Sequence, residues 1–187
     1  MGALLAARLP ARKSDGMSAD ELARFNNLPA MAAREALLDC CSSPAWAERM
    51  LSGRPYSSAR DAVRQSSAIV ARLSEADLEA ALAGHPRIGE RPGGDGSARS
   101  AAWSQREQSG VSGDEQTARE LAESNVEYER RFGHIYLVSA AGRTGPQLLA
   151  LLRARLRNSQ ATEWQVVRTE LQKIIEIRLR DLLAATS

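Results

Sequence analysis

Val167-Arg168-Thr169-Glu170-Leu171-Gln172-Lys173-Ile174-Ile175-Glu176-Ile177-Arg178-Leu179-Arg180-Asp181-Leu182 decides how this chain folds. Val167, Leu171, Ile174, Ile175 and Leu182 recur at the spacing that aligns side chains along one face of an α-helix. The pattern predicts a helix from about Thr162 to Ala184. Arg178 falls on the same face, seven residues after Leu171 and four before Leu182. A guanidinium in an apolar stripe costs several kcal/mol unless an anionic, hydrogen-bonding group meets it. Two kinds of partner would do so. One is a buried Asp or Glu in a structural ion pair. The other is a substrate carboxylate or ureido oxygen, which arginine's planar donors suit.

Working outward, the same period recurs and strand-like alternation is nearly absent. Ser18-Ala19-Asp20-Glu21 reads as a capping box, and Pro29 sits where a first-turn proline opens a helix through Leu37 and Leu38. Ser43-Pro44 repeats that start, and Gly53-Arg54-Pro55 ends the helix. Ala62, Ile69, Val70 and Leu73 share a face. Ser74-Glu75-Ala76-Asp77 caps the next helix, with Gly84 as its C-terminal glycine. Gly89, Pro92, Gly93, Gly94 and Gly96 mark a loop, without the strand and Lys-Ser/Thr of a phosphate-binding loop. Helical character returns from Ala98 to about Ser109, and Gly110 to Gly113 breaks it. Asp114 caps a helix whose stripe is Ala118, Leu121, Ala122, Asn125, Tyr128 and Phe132, ending at Gly133. Ile135 to Val138 is strand-like but has no evident partner, and Gly145-Pro146 starts a Leu-rich helix to about Leu156. The fold class is all-α: a single multi-helix domain over 18–187 with no significant sheet. Residues 1–17 read as an N-terminal extension, a tag or a disordered leader to an alternative start at Met17.

At 187 residues, with 43% hydrophobic and 26% charged residues, the chain suits one domain with a proper core. The 25 basic and 23 acidic residues leave a net charge of +2, too balanced for a protein built to grip nucleic acid or anionic lipid. The arginines are also interleaved with Glu127, Glu129, Glu163 and Asp181, as on a solvated surface. No apolar run approaches the roughly 20 residues of a membrane span. Cys40 and Cys41 are adjacent, and two histidines complete a set too small for a disulfide framework or a cysteine-rich zinc site. A cytoplasmic location is expected.

Two further positions join Arg178 as site candidates. His85 sits between Gly84 and Pro86, on a corner that the proline holds extended. At an unshifted value near 6.5 its imidazole exchanges protons around neutrality. The plainer alternative is an exposed histidine at a helix end. Glu107 lies one turn from Trp103, with Ser104 and Gln108 one turn apart beside it. A serine, a carboxylate and an amide in one patch can read a small polar ring, though a solvated surface has the same pattern.

His85-Pro86-Arg87-Ile88-Gly89-Glu90, Trp103-Ser104, Glu107-Gln108-Ser109-Gly110, and Asn125 with Tyr128 before Arg131-Phe132-Gly133 together resemble the 2-oxo-4-hydroxy-4-carboxy-5-ureidoimidazoline (OHCU) decarboxylases of urate degradation. The resemblance extends to Phe25-Asn26, Cys40-Cys41, Trp46, Arg54-Pro55, Arg155-Leu156 with Asn158, and Ile177-Arg178-Leu179. It implies an all-helical, cofactor-free homodimer that decarboxylates a small-molecule substrate and releases (S)-allantoin. The family's catalytic histidine, glutamate and arginine match His85, Glu107 and Arg178. Its substrate contacts fall on Pro86, on Ser104, Gln105, Arg106, Glu107 and Gln108, and on His134, Ile135, Tyr136, Leu137 and Val138, the last group partly through main-chain atoms. His134-Ile135-Tyr136 replaces the Phe-Pro-Phe of many relatives. The resemblance leads us to expect neither a peroxisomal tripeptide nor a fused transthyretin-like segment. Decarboxylation of a related ureido or imidazoline acid, or a non-catalytic helical binding module, are the alternatives.

Overall fold

The computed structural model describes residues 19–89, 97–109 and 114–184. The 1–17 extension, the Ser18 cap, Glu90 and the glycine segments 93–96 and 110–113 lie outside the described residues.

Nine helices are present among the described residues: α1 Ala19–Asn27, α2 Ala30–Cys40, α3 Pro44–Ser52, α4 Ala59–Val70, α5 Glu75–Leu82, α6 Ala98–Glu107, α7 Glu115–Phe132, α8 Gly145–Arg155 and α9 Gln160–Ala184. Most start where an oxygen-bearing side chain satisfies a free amide. Ser43, Ser58, Ser97 and Asp114 accept from Trp46, Asp61, Ser100 and Thr117 main-chain N–H groups. Ser74 and Asp77 form a reciprocal capping box. Gly133 ends α7 with φ at 78°, a left-handed conformation that glycine adopts without a Cβ clash. Pro29 stands one residue earlier than predicted, as the N-cap of α2. None of these helices is long and apolar enough to cross a membrane.

The predicted face of α9 is buried along its length, Arg178 included. Glu163 and Glu170 are buried with it, which corrects the reading of Glu163 as a surface charge. In α7 the stripe is shifted. Leu121, Asn125, Tyr128 and Phe132 are buried as predicted, but Ala118 and Ala122 are exposed and Thr117 and Ser124 point inward. Alanine is small enough to sit on either side of such a stripe, so its position carries little information.

Buried apolar side chains form two clusters. The larger joins α1 to α5 with Trp103 of α6 and the apolar face of α9. The smaller joins α7 and α8 with Ile88 and the 136–140 segment. That segment, expected to be strand-like, has no regular secondary structure and pairs with no strand among the described residues. Its polar main chain is met by side chains instead: Arg155 Nη1 donates to the Leu137 carbonyl at 2.6 Å, and Ser139 N–H donates to Glu170 Oε2 at 2.9 Å. Arginines hold other chain ends in the same way. Arg54 Nη1 reaches the carbonyls of Phe25 and Leu28, and Arg168 Nη1 those of Val70 and Leu73.

Candidate active site

The site lies where the two clusters meet, and three loops and helices build it. α5 ends at Leu82, whose carbonyl accepts from His85 N–H at 2.9 Å. Gly84 does not take a left-handed conformation, so it is no Schellman-type cap. Its lack of a side chain serves a close approach, since a Cβ there would stand 1.9 Å from Ser42 Oγ and 2.9 Å from Ser42 Cβ. The α2–α3 connection thus presses against the corner that carries His85. Beyond Pro86, Arg87 makes a bidentate pair with Glu129 of α7, at 2.5 and 2.9 Å. Asn125 Nδ2 donates to the Ile88 carbonyl, and Gln108 Oε1 accepts from Gly89 N–H at 3.0 Å. The His-Pro loop is therefore tied to both α6 and α7.

α6 is fastened at both ends, by Arg99–Asp39 at 3.1 Å to α2 and by Arg106–Asp181 at 2.9 Å to α9. Between these ties Arg178 grips Glu107 with both edges of its fork, Nε to Oε1 and Nη2 to Oε2, each 2.8 Å. Nη2 also donates to Ser104 Oγ at 3.2 Å, and the guanidinium lies 5.9 Å from the Trp103 ring. Of the two kinds of partner set out above, the structure supplies the first, an ion pair within the protein: the carboxylate that satisfies Arg178 is Glu107.

A hollow of about 300 Å³, mouth included, opens beside this pair. Its enclosed part is narrow, about 20 Å³ for the centre of a water-sized molecule. Only the hollow with its mouth reaches the low end of small-ligand sites; the enclosed part is close to the size of a single water. His85, Pro86 and Ile88 form one wall, Ser104, Glu107 and Gln108 the second, and Tyr136, Leu137, Val138 and Ala140 the third, with Ile174 at the base. Arg178 stands behind the second wall, acting through Glu107 and Ser104.

Burial, aided by the nearby Arg178 charge, pulls the His85 imidazole down to about 3. This replaces the expected value near 6.5: both causes penalise the imidazolium, so the ring is neutral at physiological pH. His85 is half-buried and lines the hollow, so it is not the exposed helix-end histidine of the plainer reading. Cys40 and Cys41 are buried near Arg178. Desolvation pushes Cys40 well above the usual thiol range and Cys41 up to about 12, so neither offers a thiolate.

Four of the predicted contact residues stand away from the hollow. Gln105 is exposed, and Arg106 turns to Asp181 in a separate depression on the far side of Glu107. Both point off the outer face of α6, as one-residue steps of 100° require. His134 packs against Trp164, with ring centroids 4.3 Å apart, and against Tyr128 and Phe132. Ile135 is half-buried against the larger cluster. Ile88, Ala140 and Ile174 were not anticipated as lining, though Ile88 stands within the His-Pro motif. Ile174 had a signal, since it precedes Arg178 by one turn on the same face. Ala140 had none.

The profile of the OHCU decarboxylase family matches residues 26–180. The chain is 30% identical over 147 residues to the uric acid degradation bifunctional protein TTL of Arabidopsis thaliana, covering 78% of this chain and 45% of that protein's length. It is 32% identical over 146 residues to a putative OHCU decarboxylase of Homo sapiens, covering 76% of this chain and 83% of the relative. In three dimensions it resembles a crystal structure of OHCU decarboxylase determined in the presence of (S)-allantoin. That match has a TM-score of 0.69 at 26% identity and covers 81% of this chain and 99% of the other.

Proposed function

The chain belongs to the OHCU decarboxylase family, and from that premise we propose that it removes carbon dioxide from OHCU and releases (S)-allantoin. The observation that carries this reading is the shared hollow, in which a neutral imidazole faces a carboxylate clamped by a buried guanidinium.

The substrate carries its carboxylate on a carbon next to a ring C=N bond. When the C–C bond breaks, its electron pair forms a double bond inside the ring, and the C=N electrons move to nitrogen, which takes a proton. Carbon dioxide leaves. The enol that remains loses its hydroxyl proton and gains one at the neighbouring ring carbon, giving allantoin. The substrate is thus its own electron sink, and the protein's tasks are to orient the ring and protonate one face.

Each Glu107 oxygen accepts one bond from Arg178 and keeps acceptor capacity for a ring or ureido N–H. Arg178 is turned to Glu107, so its role is to hold that carboxylate in place; the direct fork on a substrate carboxylate is set aside. His85, being neutral, takes the hydroxyl proton and returns one to the ring carbon on its own side. The wall from Tyr136 to Val138 closes the opposite face. We also propose a homodimer as the working unit.

Because OHCU decays unaided to racemic allantoin, handedness is the decisive measurement. Enzymatically generated OHCU plus this protein should give one enantiomer by circular dichroism. His85→Asn should fold normally and yield racemate at the unaided rate. A fully stereoselective His85→Asn protein would end the proposed role. A wild-type chain that leaves the decay unchanged would end the assignment.

A further inference from the structure

We propose that Arg155, which does not line the hollow, is a positioning residue for this reaction, because it anchors the partnerless wall from Tyr136 to Val138. The proposal rests on the decarboxylase reading above. A segment outside any helix or sheet has no regular hydrogen-bond ladder, so other bonds must set where its atoms stand. Arg155 is buried and uses all three parts of its guanidinium. Nη1 donates to the Leu137 carbonyl at 2.6 Å, Nε to Glu163 Oε1 at 2.7 Å, and Nη2 to the Tyr128 hydroxyl at 3.2 Å. Its carbon centre lies 4.7 Å from the Tyr136 ring. Glu163, fully buried, also accepts from the Tyr128 hydroxyl and from Asn158 Nδ2. The anchor is therefore fixed from α7, α8 and α9 together. Downstream of Leu137 the tie from Ser139 N–H to Glu170 fixes the other end of the wall. A wall held at two points presents one face to the ring. A loose wall lets the planar intermediate tilt and take its proton from either side.

Arg155→Lys keeps the positive charge, but an ammonium cannot reach Glu163, Tyr128 and Leu137 in the same planar arrangement. Arg168→Lys is the control: it loosens the same kind of guanidinium-to-carbonyl anchor, at the end of α4 away from the hollow. Loosening a site wall costs about ten- to a hundredfold. We therefore expect Arg155→Lys to lower kcat/KM about tenfold or more, chiefly through KM. It should also reduce the enantiomeric excess and speed amide exchange over residues 136–139. Arg168→Lys should lower Tm and leave those three readouts unchanged. Tyr128→Phe, which keeps the guanidinium and removes its hydroxyl partner, should give the Arg155→Lys pattern at about threefold; it carries the test should Arg155→Lys fail to fold. Either variant, folded, with wild-type kcat/KM, handedness and exchange over 136–139 would overturn the proposal. So would an Arg168→Lys protein that disturbs all three equally. A wild-type protein inert towards OHCU would overturn the decarboxylase reading, while the exchange pattern would still decide whether Arg155 sets the wall.

Discussion

Two buried guanidinium–carboxylate pairs tie α9 to its neighbours, Glu163 to Arg155 of α8 and Arg178 to Glu107 of α6, and they differ in what remains of the carboxylate. At Arg155–Glu163 the acid is 0% exposed, and its oxygens take bonds from Arg155, Tyr128 and Asn158. At Arg178–Glu107 the acid side chain keeps 14% exposure and faces the hollow, with Arg178 the only donor it meets among the described residues. The first pair is closed, and its energy is entirely internal. The second leaves acceptor capacity facing a hollow, and on the proposed function the substrate fills it. Unused acceptor capacity beside a cavity marks the difference between the two pairs.

The largest expected effect breaks the closed pair. Glu163→Gln strands a buried guanidinium and should cost about 3–5 kcal/mol of stability, read from urea unfolding midpoints. Glu107→Gln should lose turnover as well. It too strands a buried guanidinium, leaving Arg178 with Ser104, so stability should fall by no more than the same about 3–5 kcal/mol. Turnover of OHCU should fall about a hundredfold, near 2.7 kcal/mol in barrier. A Glu107→Gln protein less stable than Glu163→Gln would refute the contrast.

Acid sharpens the comparison further. Folded His85 titrates near 3, and unfolding restores the ordinary value near 6.5. Between those values the unfolded chain binds the extra proton. The stability contributed by the neutral ring is therefore complete above about pH 6.5 and is lost as pH falls towards 3. The slope is at most about 1.4 kcal/mol per pH unit. Wild type should lose this increment relative to His85→Asn in parallel unfolding series at pH 7, 6 and 5. The smallest effect belongs to an open pair on the far side of α9. Arg180–Glu176, at 3.0 Å and with both side chains more than 40% exposed, should yield no more than about 0.5 kcal/mol on Glu176→Ala.

Much of the fold was legible because its signals are local. The α9 stripe, the serine and aspartate caps and the glycine at position 133 each act within one or two turns. The site was less so. Helical period placed Arg178 on a buried face, but nothing local says that its partner is Glu107, 71 residues away. Glu163 was misread for the same reason: interleaved charges look solvated until Arg155 and Tyr128 arrive from other helices. One sign was available, since Glu163 stands one turn before Val167 on the buried face. The His85 value depends on burial, which no dipeptide motif encodes. The wall at 136–138 was recognised as a substrate contact through family likeness alone; its strand-like pattern is met by irregular chain, which side chains from other helices hold in place.

Gly84 and Ser42 leave no gap between the α2–α3 connection and the corner bearing the imidazole. The imidazole therefore takes its placement from a contact outside the hollow. One methyl group added at position 84 would act as a wedge, shifting the corner while His85 itself stayed intact. On the proposed function, stereochemical fidelity would then be a mechanical tolerance, adjustable from behind the site.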